Sequence, residues 1–160
     1  MDFQLLAGRA FLPLAFKQLF MKLTLLILCM LVCSTVLAQS RAEKKIRERL
    51  AFQTASWNSG DIEGFMQTYW KSDSLMFIGK NGVKRGWQAT LESYRKGYPD
   101  TTAMGKLSFD ILQVKKLSRK YYYVVGKWML ARSIGDLSGH YDLLFRKIKG
   151  KWYIVSDHSS

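Results

Sequence analysis

The sequence predicts an α+β domain in which a curved antiparallel sheet wraps around three helices that precede it. Three observations carry this. Apolar residues recur at helical spacing in three separate stretches before residue 98, and almost everything after residue 105 reads as strand. Trp57-Asn58-Ser59-Gly60-Asp61 marks a sharp corner between the first two helices. At 160 residues the chain holds one domain once its N-terminus is set aside.

That N-terminus reads as a leader. Met21-Lys22 is a short basic start, Leu23 to Val36 is an apolar run, and Val36-Leu37-Ala38 suits signal peptidase, so residues 21–38 are expected to be a signal peptide cleaved before Gln39. Residues 1–20 then read as an upstream extension from a mis-called start, with a long leader or an uncleaved anchor as the alternative. The run is short for a membrane span, so no stable membrane anchor is expected after cleavage. Cys29 and Cys33 both lie in this leader, which leaves residues 39–160 without a disulfide, a thiolate nucleophile or a Cys-ligated metal. Val32 precedes Cys33 where a lipoprotein needs a small residue, so lipidation is not expected. The expected compartment is the periplasm or the exterior.

The net charge of +13 for the whole chain falls only to about +11 for residues 39–160. Such a field attracts polyanions. The cations are nevertheless scattered over helices, turns and strands, and the densest group, Lys115, Lys116, Arg119 and Lys120, falls where a hairpin should turn. A solvated basic surface is expected, with no nucleic-acid partner.

In chain order, Arg41 to Trp57 is helical, with Ile46, Leu50, Gln53 and Trp57 on one stripe. Gln53 is the polar exception: its amide either faces a polar pocket or bonds a buried backbone group. Gly60 suits the left-handed residue that closes this helix, and Asp61 suits the cap of the next. Past the corner, Ile62, Phe65, Met66, Tyr69 and Trp70 make one apolar helical face. Ser74 to Gly79 reads as a strand, Asn81-Gly82 as a two-residue hairpin turn, and Val83 to Gly86 as its return. Trp87 to Lys96 is helical again, ended by Gly97-Tyr98-Pro99. Four strands follow, Lys106 to Lys116, Tyr121 to Ser133, Ser138 to Ile148 and Lys151 to Asp157, with Lys149-Gly150 as a second tight turn.

Trp57-Asn58-x-Gly60-Asp61, Phe65 and Tyr69 in the corner helix, Gly86-Trp87, and the ending Gly150-Lys151-Trp152-x-Ile154-x-x-Asp157-His158-Ser159-Ser160 together resemble the nuclear transport factor 2-like superfamily. This group includes ketosteroid isomerases and SnoaL-like cyclases, and the chain most resembles its small exported bacterial members of unknown function. The resemblance spans residues 41–160. It implies a cone-shaped, cystatin-like α+β barrel with a pocket at the open end and a homodimer formed through the sheet face.

The same resemblance argues against one reaction. Counting from Asp61, the isomerases' donor tyrosine falls at Gln53, their base at Phe77 and their buried acid near Leu143. Phe77 and Leu143 cannot transfer protons. Pocket-lining aromatics do carry over, at Tyr69 and Tyr94.

Strand alternation selects the remaining polar groups. Trp152, Ile154, Ser156 and His158 share one face and Tyr153, Val155 and Asp157 the other, so with Trp152 inward, His158 is expected to face the cavity. There it serves as a general base with Asp157 beside it, or the two only fix the chain's end by hydrogen bonds. His140 falls on the outer face with Asp142, at the surface or a dimer interface. That separation leaves no expected metal site, and no cofactor motif is present. Arg132 shares a face with Trp128 and Leu130, either as an anion anchor at the pocket mouth or as a solvated strand end.

The aromatic set, Trp57, Tyr69, Trp70, Trp87, Tyr94, Trp128 and Tyr141, suits a ligand cavity and equally a compact core. Tyr69, Trp87 and Tyr94 are the best candidates to touch a ligand. The leading expectation is an exported module binding a small apolar or aromatic molecule in the cone. An isomerase, cyclase or hydratase using His158, Asp157 or Gln53 is the second, and a non-catalytic dimeric interaction domain the third.

Overall fold

The computed structural model describes residues 14–160, and the side chains of residues 16–24 and 41–160. The first thirteen positions of the expected extension, and the side chains of Cys29, Cys33 and Gln39, lie outside the described residues. The chain divides into two units, Met1–Ser40 and Arg41–Ser160. In the first, the described backbone is the opening part of helix α1 (Leu14–Asn58). No helix among the described residues is long and apolar enough to cross a membrane.

The second unit carries the fold. Within it α1 buries the foreseen stripe: Ile46, Leu50, Gln53 and Trp57 are at most 3 % exposed. The helix ends as the sequence requires. Gly60 takes φ +82°, its N–H donates to Trp57 O and that of Asp61 to Ser56 O, which together satisfy carbonyls the last turn would leave unpaired. Asp61 then caps α2 (Ile62–Met66) by accepting from the Gly64 N–H at 2.8 Å.

The corner helix is shorter than expected. After Met66 the chain becomes extended enough for Tyr69 to bridge Ile154 in parallel, with Ile154 N–H donating to Thr68 O and Trp70 N–H to Ile154 O. Sheet-type pairing to the last strand thus displaces the helical bonds that the apolar periodicity of Tyr69 and Trp70 suggested.

The hairpin β1 (Met76–Gly79) and β2 (Gly82–Arg85) follows. Its two connecting residues are Lys80 and Asn81, one position earlier than expected, because Gly82 pairs with Gly79. Helix α3 (Trp87–Gly97) matches the expectation, whereas α4 (Thr101–Met104), capped by Asp100, was not foreseen. The long strands are β3 (Lys106–Lys116), β4 (Tyr121–Ala131), β5 (Leu137–Ile148) and β6 (Lys151–Ser159). Lys149 at φ +47° and Gly150 at φ +83° make the tight turn before β6.

The sheet order is β2-β1-β6-β5-β4-β3. It is curved but not closed into a barrel, and it is not antiparallel throughout: β1 runs parallel to β6. The parallel pair has a simple origin, since the segment leaving α2 already lies alongside β6 in the same sense at Tyr69.

Two bulges shape the sheet, at Leu112 in β3 and at Val155 in β6. Each puts one extra residue in its strand and bends it. One end of the sheet is filled by Tyr122, Phe145, Trp152 and Ile154, none more than 3 % exposed, with the Tyr122 and Trp152 rings edge to face at 5.1 Å.

Candidate functional site

The strand registers place the cavity. Phe77 of β1 is level with Asp157 of β6, which is level with Leu143 of β5, and these three make its floor above the filled end. The mouth lies where β1, β4 and β6 end and β5 begins, at Lys80, Arg132, Ser138 and Ser160. Between them is a cavity of about 630 Å³. Its walls are largely aromatic, with Trp57, Phe65, Tyr94 and Phe77 in successive edge-to-face contacts of 5.0–5.7 Å and Phe109 meeting Tyr141 at 5.2 Å.

Among the described residues Asp157 is the one acidic side chain of the lining, and it is 3 % exposed. The Tyr69 hydroxyl donates to Oδ2 at 2.6 Å and the Ser159 hydroxyl to Oδ1 at 2.8 Å. Burial pushes this carboxyl up to about 6, against the opposing pull of those two donors. Burial also raises Tyr69 and Tyr94 well above the ordinary phenol value, reinforced by the negative charge of Asp157. Both phenols therefore stay protonated, and that of Tyr69 is the donor to Asp157.

His158 departs from the expected geometry. The Val155 bulge lets Ser156 pair with Leu144 and Ile154 with Phe145, so alternation shifts by one residue. Asp157 turns inward and His158 outward, where its Nδ1 meets Asp142 Oδ1 at 2.9 Å on the exposed face. The expected inward histidine and outward aspartate have exchanged places. His140 is exposed, on the side the alternation gives it.

The other candidates divide clearly. Gln53, Trp57, Tyr69, Tyr94, Trp128 and Tyr141 all line the cavity. Trp87 does not: its Nε1–H donates to Met66 O at 2.9 Å and Lys71 lies over its ring, so it fastens α3 to the corner segment. Trp57 Nε1–H is committed to Met104 O at 3.1 Å. Gln53 Nε2, Trp128 Nε1 and the Tyr141 hydroxyl are buried and have no hydrogen-bond partner among the described residues. Gln53 therefore leaves its amide donor unused rather than tying it to a buried backbone group.

Gln53, Phe77 and Leu143, where the isomerases' acid–base groups would fall, all belong to the lining. Asp157 stands between Phe77 and Leu143 in the floor row, so a carboxyl is present there on a different strand position. Sequence reasoning missed its inward aim and Ser159, because nothing in the residue pattern marks the Val155 bulge, and it did not single out Phe109 of β3.

The fold and its lined cone define a small α+β domain of the cystatin-like type. A protein described as NTF2-like and of unknown function from Shewanella oneidensis has 39% identity over 74% of this chain and 98% of its own, with a TM-score of 0.72. The chain belongs to the nuclear transport factor 2-like superfamily. Two more distant solved structures share the fold. An NTF2-like superfamily protein from Salmonella enterica is 20% identical over 76% of this chain and 92% of its own, with a TM-score of 0.61. A ketosteroid isomerase-like protein from Erwinia carotovora is 18% identical over 73% of this chain and 93% of its own, with a TM-score of 0.57. No family model matches the sequence, and no curated protein is significantly similar to it.

Proposed function

We propose that this protein binds a small, largely apolar, ring-containing molecule in the cone. The observation that carries this reading is the cavity of about 630 Å³, walled by aromatic side chains and furnished with a few polar groups that are partnered internally or not at all. That combination is the usual make-up of a small-molecule site, with apolar area for affinity and sparse polar groups for orientation. The unused donors of Gln53, Trp128 and Tyr141 give a ligand acceptor something to bind. Titration with the neutral fluorophore N-phenyl-1-naphthylamine tests it. Saturable binding that weakens in Tyr94→Ala is expected, and no saturable binding would sink the reading.

A second reading is favoured by one contact. Asp157 is buried on the floor with the Tyr69 hydroxyl at 2.6 Å, which pairs a titrating carboxyl with a protonated phenol in apolar surroundings. Such a pair suits isomerase-type proton transfer, the carboxylate moving a proton and the Tyr69 hydroxyl, which gives its one hydrogen to Asp157, holding that carboxylate in place. Conversion of a β,γ-unsaturated cyclic ketone to its conjugated isomer, followed by absorbance, is the assay. Turnover abolished by Asp157→Asn supports this role, and turnover indifferent to Asp157→Asn removes it.

Within the same proposal, the apolar run from Leu23 to Val36 supports export with cleavage before Gln39. Half-buried Tyr123, Leu144 and Tyr153 on the outer sheet face support a homodimer. Mass spectrometry of the exported protein under native conditions reads both the N-terminus and the subunit count.

A further inference from the structure

The carboxyl of the lining lies at the floor, and two of the three lining cations lie at the mouth. Asp157 lies in the floor row, level with Phe77 and Leu143. Lys80 directly follows β1 and Arg132 directly follows β4, and both strands end at the mouth. A third cation, Lys84, stands level with Phe77 on the edge strand β2. None of the three forms an ion pair with an acidic group among the described residues.

Arg132 is held in place there. Its Nε–H donates to Gly135 O at 2.7 Å, and Nη1 reaches Ala103 O at 3.4 Å. These are neutral carbonyls, so the guanidinium keeps its charge uncompensated and has donors to spare. Asp136 in the same turn accepts from the Arg132 backbone N–H, not from its side chain.

Resting on the binding reading above, we infer that the ligand is a small amphipathic anion: a ring-containing apolar body in the cone, with a carboxylate or sulfonate group at the mouth beside Lys80 and Arg132. The orientation follows from the two ends. An anion at the floor would meet the Asp157 carboxyl in a water-poor space, where a like charge is costly and the single cation at that level, Lys84, stands out on the edge strand. At the mouth it meets two cations that have no acidic partner among the described residues, and it stays partly hydrated. The aromatic walls between them accommodate a flat body, and the chain's net charge of +13 draws anions toward the opening.

The test uses two fluorophores of one skeleton on the whole 160-residue chain. 1-Anilinonaphthalene-8-sulfonate carries the anion and N-phenyl-1-naphthylamine lacks it. The sulfonate should bind about tenfold more tightly, the size two partly exposed ion pairs supply. In the Lys80→Gln/Arg132→Gln double variant that preference should fall to about twofold or less, while the neutral probe's Kd is unchanged. Added salt should weaken only the sulfonate. Tyr94→Ala should weaken both probes.

Equal binding of the two probes overturns the inference and leaves the binding reading standing. So does a preference that survives both substitutions, or sulfonate binding indifferent to Tyr94→Ala, which marks a site elsewhere on the surface. If neither probe binds, the binding reading itself fails. Lys80→Gln alone, at an exposed turn, should retain the wild-type melting midpoint and still lose part of the preference, which keeps the test valid if Arg132→Gln disturbs its turn.

Discussion

The Tyr69 hydroxyl donates to Asp157 Oδ2 across 2.6 Å, joining the segment after the corner helix to the last strand 88 positions later. Burial of that carboxyl, which the bond only partly offsets, makes stability depend on pH in a definite direction. Asp157 titrates near 3.8 when unfolded and at about 6 when folded, because burial disfavours its charge. Between those values the folded state holds more protons. The stabilisation is therefore complete below pH 3.8 and is lost as pH rises through 6. A shift of that size corresponds to about 3 kcal/mol at most. Asp157→Asn should remove this dependence and be relatively more stable at pH 7.5 than at pH 4. Urea unfolding of both proteins at the two pH values checks it, and a difference between them that does not change with pH would contradict the assignment.

Tyr69→Phe acts on the same pair from the other side. It deletes a donor that favours the ionised carboxyl, so the Asp157 carboxyl moves further up and a buried oxygen loses its partner. The expected cost is about 1–3 kcal/mol, larger at pH 7.5 than at pH 4. A loss of equal size at both pH values would show that the ring's packing, not the bond, is what was disturbed.

The architecture was legible because its signals are local. Gly60 and Asp61 dictate the corner through backbone conformation and capping, and Lys149-Gly150 dictates its turn the same way. The cavity walls at Trp57, Trp128 and Tyr141 follow from helical and strand spacing, whereas Tyr69 and Tyr94 were placed at the pocket by the family resemblance. What escaped was non-local. Tyr69 and Trp70 keep helical spacing yet leave the helix because Ile154 offers strand pairing. Asp157 and His158 exchange faces because Val155 is an extra residue opposite β5, and no side chain in Ser156-Asp157-His158-Ser159 announces it.

That exchange is directly measurable. In a Cys29→Ser/Cys33→Ser background, His158→Cys should react with a thiol reagent at nearly the rate of a free cysteine. Asp157→Cys should be at least about tenfold slower, since its position is buried. Comparable rates, or the reverse order, would restore simple alternation along β6.

Gly126 and Gly64 are tests of close approach. A Cβ at Gly126 would lie 2.4 Å from the Tyr141 ring and hydroxyl and 2.5 Å from Asp110 O, so the ring holds its place in the cavity wall only over a glycine. At Gly64 a Cβ would lie 2.1 Å from Asp61 Oδ2, the carboxylate that caps α2. Each Gly→Ala change should cost about 1–3 kcal/mol. Thermal melting measures both, and a neutral Gly126→Ala would mean that the β4 to β5 spacing at Tyr141 is looser than described.

Trp87 and Tyr94 lie on the same helix and separate packing from binding. Trp87 is committed to Met66 O and lies outside the lining, whereas Tyr94 contacts Phe65 and Phe77 edge to face and faces the cavity. Truncating Trp87 should therefore destabilise by about 3–5 kcal/mol, or somewhat less because the ring is only partly buried. Its effect on the Kd of N-phenyl-1-naphthylamine for the fraction that remains folded should be less than about twofold. Tyr94→Ala removes cavity wall as well as core, so it should raise that Kd by about tenfold or more at a comparable loss of stability. Measuring Kd and the melting midpoint on both variants decides the matter. If Trp87→Ala weakens the probe as much as Tyr94→Ala, the binding surface extends beyond the cone, to the ring that Lys71 covers.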